Sequence, residues 1–141
     1  MNITKNFTVQ ELVPAEVYTE RGDAAAQLMD IRIVNVAQWL RDKLGKPITI
    51  NNWNTGGEFK ESGLRNFETS TGAKWSQHKY GRALDLKITD MQAEDVRKFI
   101  RLNWASLKTI GLTTIEKDTP TWVHIDCRYT GLDYLLEVPY K

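Results

Sequence analysis

The sequence predicts an α+β fold in one domain, residues 1–141, with an antiparallel sheet flanked by helices. The chain has 141 residues, which suits one hydrophobic core but not two. It is 41% hydrophobic and 26% charged, as in ordinary globular proteins, which excludes a disordered chain. Helical patterns fill residues 1–46. Strand patterns, a long loop and one helix fill residues 47–141, an order typical of α+β proteins.

Two short helices are predicted at the start of the chain. Thr8 and Glu11 have the spacing of a capping box, in which two side chains satisfy free backbone N–H groups at a helix start. Pro14 suits the first turn of a second helix, because its missing N–H would have no partner there. We expect this second helix to end near Gly22.

The longest helix is predicted for residues 24–44. Apolar side chains recur along this stretch at helical spacing, as in a helix that buries one face. Asp23 is a favourable N-cap, and Gly45 is a favourable C-cap because glycine adopts the left-handed conformation at little cost. Pro47 then blocks any continuation of the helix.

Strands and one further helix are predicted beyond the longest helix. The strand patterns are short and rich in β-branched residues, and their polarity alternates. We expect strands at residues 47–53, 82–88, 109–116, 122–127 and 134–138. A helix capped by Asp90 is expected at residues 91–107, between the second and third strands.

A long segment without periodicity, residues 54–77, separates the first two strands. Loops of this length inside a compact domain are functional or disordered. This one contains Phe59, Phe67 and Trp75, a content too aromatic for a disordered linker. We therefore expect an ordered loop that forms one wall of a site.

Composition also excludes several classes of function. Lys and Arg number 19 and Asp and Glu number 18, a balance that argues against nucleic-acid binding through bulk charge. No apolar run approaches the ~20 residues of a transmembrane helix, and residues 1–10 lack the pattern of an export signal. Cys127 is the only cysteine, which excludes an internal disulfide and a cysteine-rich zinc site. We expect a monomer with neither nucleic-acid nor membrane partners.

The two histidines of the chain lie near carboxylates. His78 ends the long loop, and Asp85 follows within an apolar strand, where a carboxylate is costly unless it is paired or bound to a metal. His124 and Asp126 share one face of a later strand. If the two strands are neighbours, two imidazoles and the Asp85 carboxylate can converge on one Zn²⁺ with an open fourth position. The alternative is that each histidine is an ordinary hydrogen-bonded residue.

The histidines also belong to a two-part motif, S-x-H-x-x-G-x-A-x-D at residues 76–85 and W-x-H-I-D at residues 122–126. This combination resembles the M15 zinc peptidases, subfamily A, C-terminal domain type. That family includes D-Ala-D-Ala carboxypeptidases and L-Ala-D-Glu endopeptidases of peptidoglycan. The similarity extends over residues 48–128. It implies the hedgehog-type α+β fold of these enzymes and one Zn²⁺, whose ligands would be His78, Asp85 and His124.

The sequence does not decide which residue acts as the general base. Several members of the family carry an acidic residue three positions before the last histidine ligand, where this chain has Thr121. Glu116, at a strand end, is the first candidate, and Asp118, in the following turn, is the second. Asp126 is a third candidate, but its place on the strand face suits a partner of a ligand or of Arg82 better.

The resemblance also indicates residues that bind substrate. Arg65 stands where the family has a substrate-binding arginine, whose planar fork suits a carboxylate. The alternative for Arg65 is an ordinary surface arginine. Ser76 either contacts substrate or caps the turn before His78, and Trp122, beside His124, is a candidate wall of the cleft.

The resulting functional prediction is a zinc peptidase that hydrolyses peptidoglycan stem peptides, as a D-Ala-D-Ala carboxypeptidase or an endopeptidase. Because an export signal is not evident, we expect a phage or prophage lysis enzyme. It would stay in the cytoplasm until host lysis releases it to the periplasm and cell wall. The alternative is a non-catalytic metal-binding or virion structural module of the same fold, which the residue Thr121 favours.

Overall fold

Five short strands form one mixed sheet in the computed structural model, which describes residues 1–140. The strand order is β1-β2-β4-β3-β5, and three of the four pairings are antiparallel. The α+β class is confirmed, but a wholly antiparallel sheet is wrong, because the connection over residues 127–135 places β5 parallel to β3. The strands are β1 Ile48–Thr49, β2 Ala83–Ile88, β3 Thr114–Glu116, β4 Val123–Asp126 and β5 Leu136–Val138.

The register between β2 and β4 positions the polar side chains of the sheet. Asp85 lies directly opposite His124, and Leu84 lies opposite Ile125. Directly opposed residues of an antiparallel pair point to the same face, so the Asp85 and His124 side chains are neighbours. The other face of β4 joins the hydrophobic core through Val123 and Ile125, as the alternation predicts.

Five α-helices pack with the sheet around this core. Helix α3 contributes a buried apolar stripe that includes Ile33 and Leu40, both without solvent exposure. The helices are α1 Val9–Leu12, α2 Ala15–Arg21, α3 Ile31–Leu44, α4 Ala93–Leu102 and α5 Trp104–Ile110. Three 3₁₀-helices add Gly22–Leu28, Trp53–Thr55 and Gln77–Tyr80. No helix within residues 1–140 has both the length and the apolarity needed to cross a lipid bilayer.

The longest helix begins later than its sequence pattern predicts. Residues 22–28 form a 3₁₀-helix, and Asp30 is the N-cap of α3, accepting the Arg32 backbone N–H at 3.0 Å. The prediction of Asp23 as the cap is therefore wrong. Asp30 is fixed in place because its own backbone N–H donates to the Gly81 carbonyl at 2.9 Å. The predicted C-cap is confirmed, since Gly45 adopts the left-handed conformation.

The helix predicted for residues 91–107 is two helices in the structure, α4 and α5. Its N-cap is Gln92 rather than Asp90, which has a left-handed φ of 61° and belongs to the turn after β2. The helical run is interrupted at Asn103, whose side-chain amide donates to the Phe99 carbonyl at 2.8 Å. Helix α5 then extends to Ile110, so the following strand is shorter than predicted.

Substitution of Gly81 tests how the turn before β2 is built. Gly81 has a φ of +68°, and a Cβ there would collide with the Leu28 carbonyl oxygen. We expect Gly81→Ala to lower the free energy of unfolding by about 2–5 kcal/mol, the sum of the left-handed backbone cost and the steric clash, measured by chemical denaturation. Gly45→Ala is the matched control, because Gly45 has a φ of +64° but no atom within 4 Å, and should lose only about 1 kcal/mol. Equal losses would contradict a steric role for Gly81.

Candidate metal centre

Three side chains from separate parts of the chain meet at one point of the sheet. His78 comes from the 3₁₀-helix at the end of the long loop, Asp85 from β2 and His124 from β4. Asp85 Oδ1 lies 3.2 Å from His78 Nε2 and 3.1 Å from His124 Nδ1. One potential ligand atom from each residue lies within 4.8 Å of the other two. The structure thus brings together the three ligands that the sequence predicts.

Hydrogen bonds of the long loop fix the position of His78. The Ser76 side chain accepts the His78 backbone N–H at 3.3 Å, so Ser76 caps the 3₁₀-helix. The Arg65 backbone N–H donates to the His78 carbonyl at 3.1 Å. The Asp85 N–H in turn donates to the Ser62 carbonyl at 2.7 Å. Residues 62–65 therefore lie against β2, and the loop is an ordered wall of the site, as predicted.

Each imidazole is oriented by an acceptor on its outer side. His78 Nδ1 lies 2.8 Å from the Gly63 carbonyl oxygen, which only accepts hydrogen bonds. His124 Nε2 lies 2.7 Å from Asp126 Oδ2, whose carboxylate likewise accepts. The outer nitrogens therefore carry the ring protons in neutral histidines. The inner nitrogens, His78 Nε2 and His124 Nδ1, are left as lone-pair donors facing Asp85.

This arrangement fits a divalent cation. Two imidazole lone pairs and a carboxylate oxygen repel one another unless a proton or a metal ion lies between them, and they are the ligands that Zn²⁺ prefers. Burial lowers the pKa of His78. Burial also disfavours charge on His124, but the Asp126 and Asp85 carboxylates raise its pKa to about 9. Burial raises the pKa of Asp85, yet the neighbouring histidines more than offset this and lower it. Without a metal, His124 is therefore the histidine that carries the additional ring proton at pH 7.

A cavity of about 460 Å³ opens onto the three candidate ligands. Glu116, at the end of β3, lines this cavity, and its Oε1 lies 3.6 Å from His124 Nδ1. Burial raises the pKa of Glu116, and the Asp85 and Asp126 charges add to this effect. The cavity thus places the Glu116 carboxylate beside the three candidate ligands.

The comparison with known families agrees with this geometry. A family model described as Peptidase M15 matches residues 5–126. The chain belongs to the peptidase M15 family. Membership indicates a metallopeptidase, and M15 peptidases generally depend on zinc. No curated protein and no solved structure matches the chain significantly.

The other candidates for the general base of this M15 peptidase do not line the main cavity. Asp118 is exposed, accepts the Tyr140 backbone N–H at 2.7 Å and is not among the residues that line the cavity. Thr121 lines a second cavity of about 440 Å³. Asp126 has no solvent exposure, contacts His124 from behind and is not among the residues that line the cavity. Among the candidates, only Glu116 reaches the cavity.

The side chain of Asp126 contacts Arg128 rather than Arg82. Arg128 donates to Asp126 from Nε at 2.9 Å and from Nη2 at 2.6 Å. Arg82 is exposed and lies over the Tyr80 ring, with 5.4 Å between the guanidinium and the ring centroid. Of the two partners expected for Asp126, a ligand or Arg82, the structure shows the candidate ligand His124. Sequence reasoning missed Arg128. The signal was present, because His124, Asp126 and Arg128 recur at every second position.

The predicted substrate-binding residues all line the main cavity. Arg65 donates to the Glu61 carbonyl at 2.8 Å and to Asp85 Oδ2 at 3.3 Å, so it is not a free surface arginine. Trp122 packs edge-on against Tyr140, with 5.1 Å between the ring centroids. Arg65, Asp85 and Trp122 also line the second cavity, which therefore adjoins the first at one candidate ligand, Asp85.

Zinc binding should release a proton from the metal-free M15 peptidase. At pH 7 His124 is protonated, because its pKa is raised to about 9, whereas His78 is already neutral. Binding through His124 Nδ1 requires loss of that proton, so about one proton should leave per zinc bound. Calorimetric titration in two buffers of different ionisation enthalpy measures this number. Binding without proton release would contradict a role for His124 as a ligand.

Asp126→Asn tests the orientation of His124 without removing a ligand. The amide can present its N–H to His124 Nε2 and so favour the wrong tautomer, and we expect zinc affinity to fall about 10- to 100-fold. Asp30→Asn is the matched control, because Asp30 also binds an arginine, Arg32, with both carboxylate oxygens but lies outside the cluster. Unchanged zinc affinity in Asp126→Asn would show that the Asp126 contact does not orient the ligand.

Proposed function

We propose that this protein is a zinc-dependent peptidase that hydrolyses peptide bonds in peptidoglycan stem peptides. One observation supports this proposal above the others. His78, Asp85 and His124 converge beside an open cavity that also contains the Glu116 carboxylate. A purely structural zinc site is closed by four protein ligands, whereas a hydrolytic site keeps one position open next to a base.

The three candidate ligands and Glu116 have separate roles in the proposed hydrolysis. A zinc ion held by His78, Asp85 and His124 would polarise the scissile carbonyl and lower the pKa of the attacking water. Glu116 accepts a proton from that water as its oxygen attacks the carbonyl carbon. Glu116 then gives the proton to the leaving amine, so that the C–N bond breaks to a carboxylic acid and an amine. The raised pKa of Glu116 suits both transfers.

Arg65 lies where the two cavities adjoin and positions the Asp85 carboxylate. Arg65 holds Asp85 Oδ2, so that Asp85 Oδ1 faces the two imidazoles. The family resemblance gives Arg65 a substrate carboxylate as its ligand, but Nε and Nη2 already donate to Glu61 and Asp85, which leaves only the remaining edge of the guanidinium for substrate. Ser76 and Trp122 line the same cavity and are the proposed contacts for the substrate chain.

The two adjoining cavities suit a peptide that passes the cluster on both sides. The substrate residues before the scissile bond would occupy one cavity, and the residue after it would occupy the other. Such a path accommodates both a D-Ala-D-Ala carboxypeptidase and an L-Ala-D-Glu endopeptidase. A role in phage or prophage lysis, a monomeric state and the cellular compartment stay predictions from sequence.

Glu116→Gln tests the assignment of the base. The amide has the size of the carboxylate but cannot accept the proton, so we expect kcat to fall about 10²- to 10⁴-fold with zinc affinity retained. Mass spectrometry of peptidoglycan fragments measures turnover and identifies the bond that is cut. If Asp118→Asn reduced kcat instead, Asp118 would be the base. A wild-type protein that binds zinc but releases no fragments would favour the non-catalytic module.

A further inference from the structure

Two arginines line the main cavity, and their hydrogen bonds differ. Arg65 donates from Nε to the Glu61 carbonyl and from Nη2 to Asp85, and its side chain is only 11% exposed. Its Nη1 packs against Gly72, where a Cβ would lie 2.6 Å away. The guanidinium of Arg65 is thus held on three sides by the protein.

Arg128 is held on one side only. Nε and Nη2 both donate to Asp126, which has no solvent exposure and so provides a fixed anchor. The Arg128 side chain is 31% exposed and lines the cavity, and its Nη1 has no acceptor among residues 1–140. An anchored guanidinium with a free donor edge is a ready site for an anion, because little conformational freedom is lost on binding.

The position of this donor edge relates it to the candidate metal centre. The Asp126 carboxylate accepts from His124 on one side and from Arg128 on the other. Arg128 is therefore linked to the candidate ligand His124 through the Asp126 carboxylate. Arg128 also lines the same cavity as Glu116. The family model matches residues 5–126, so the family assignment does not depend on this arginine.

We propose that Arg128 binds the free α-carboxylate of the substrate residue that follows the scissile bond. This inference rests on the proposed function. In D-Ala-D-Ala, that carboxylate is the chain terminus. In the L-Ala-D-Glu bond of a stem peptide, the D-Glu residue continues through its γ-carboxyl, and its α-carboxylate is free when it is not amidated. Both candidate substrates therefore present an anion on the leaving-group residue, and Arg128 selects for it.

Matched acid and amide peptides test this role. The first pair is N-acetyl-L-Lys-D-Ala-D-Ala and its C-terminal carboxamide. The second is L-Ala-γ-D-Glu-L-Lys and the peptide with D-isoglutamine in place of D-Glu. We expect the zinc-loaded wild type to prefer the carboxylate of the pair that it cleaves by about 10- to 100-fold in kcat/KM, the strength of a charge-assisted hydrogen bond.

Arg128→Gln should bring that preference to within about threefold, because kcat/KM for the acid falls further than kcat/KM for the amide. Arg128→Lys keeps the charge but not the fork and should retain a reduced preference. Arg101→Gln is the control, since Arg101 pairs with Glu137 and Glu94 away from the cavity. Zinc affinity and thermal unfolding of each variant show whether the site and fold are intact.

The outcomes separate this inference from the proposed function. If the wild type cleaves a peptide pair without preferring the acid, or if both Arg128 variants keep the full preference, the inference is overturned while the peptidase assignment stands. If both variants lose acid and amide turnover equally with zinc still bound, Arg128 does not select the carboxylate. If the zinc-loaded wild type cleaves neither peptide nor peptidoglycan, the proposed function fails, and the inference fails with it.

Discussion

A carboxylate in the middle of an apolar strand is the constraint on which the site depends. Asp85 lies between the buried residues Leu84 and Leu86, and its side chain is 13% exposed. Burial of an unpaired charge there would cost several kcal/mol. The chain compensates with Arg65 on one oxygen and two histidines on the other, and the two histidines are also candidate metal ligands.

The outer hydrogen bonds of the histidines connect this cluster to the rest of the fold. The Gly63 carbonyl orients His78, and Gly63 belongs to a loop segment that is also bonded to α1, through the Leu64 N–H and the Leu12 carbonyl at 2.8 Å. Asp126 orients His124 from within the sheet. A metal ion would therefore crosslink the long loop to β2 and β4, and its binding free energy would add to the stability of the fold.

Local patterns predicted the parts of this structure that depend on neighbouring residues. The strand around Asp85, the alternation along β4 and the cap at Gly45 follow from periodicity and residue type. The convergence of His78, Asp85 and His124 followed from spacing together with the family resemblance. Contacts between distant parts of the chain were harder to predict from the sequence. Asp23 and Asp30 are both good helix caps, and the hydrogen bond between Asp30 and Gly81 decides between them. The parallel pairing of β5 depends on how the chain returns after β4, which no local pattern encodes. Arg128 could have been found, because it continues the alternation of His124 and Asp126 by one step.

The most direct test of the account is a crystal structure of the zinc-loaded protein with an anomalous difference map at the zinc absorption edge. The account predicts a single peak about 2.0–2.2 Å from His78 Nε2, His124 Nδ1 and an Asp85 oxygen, with the fourth position open to the cavity that contains Glu116. A peak at other residues, coordination through the outer histidine nitrogens, or a fourth protein ligand that closes the site would contradict it.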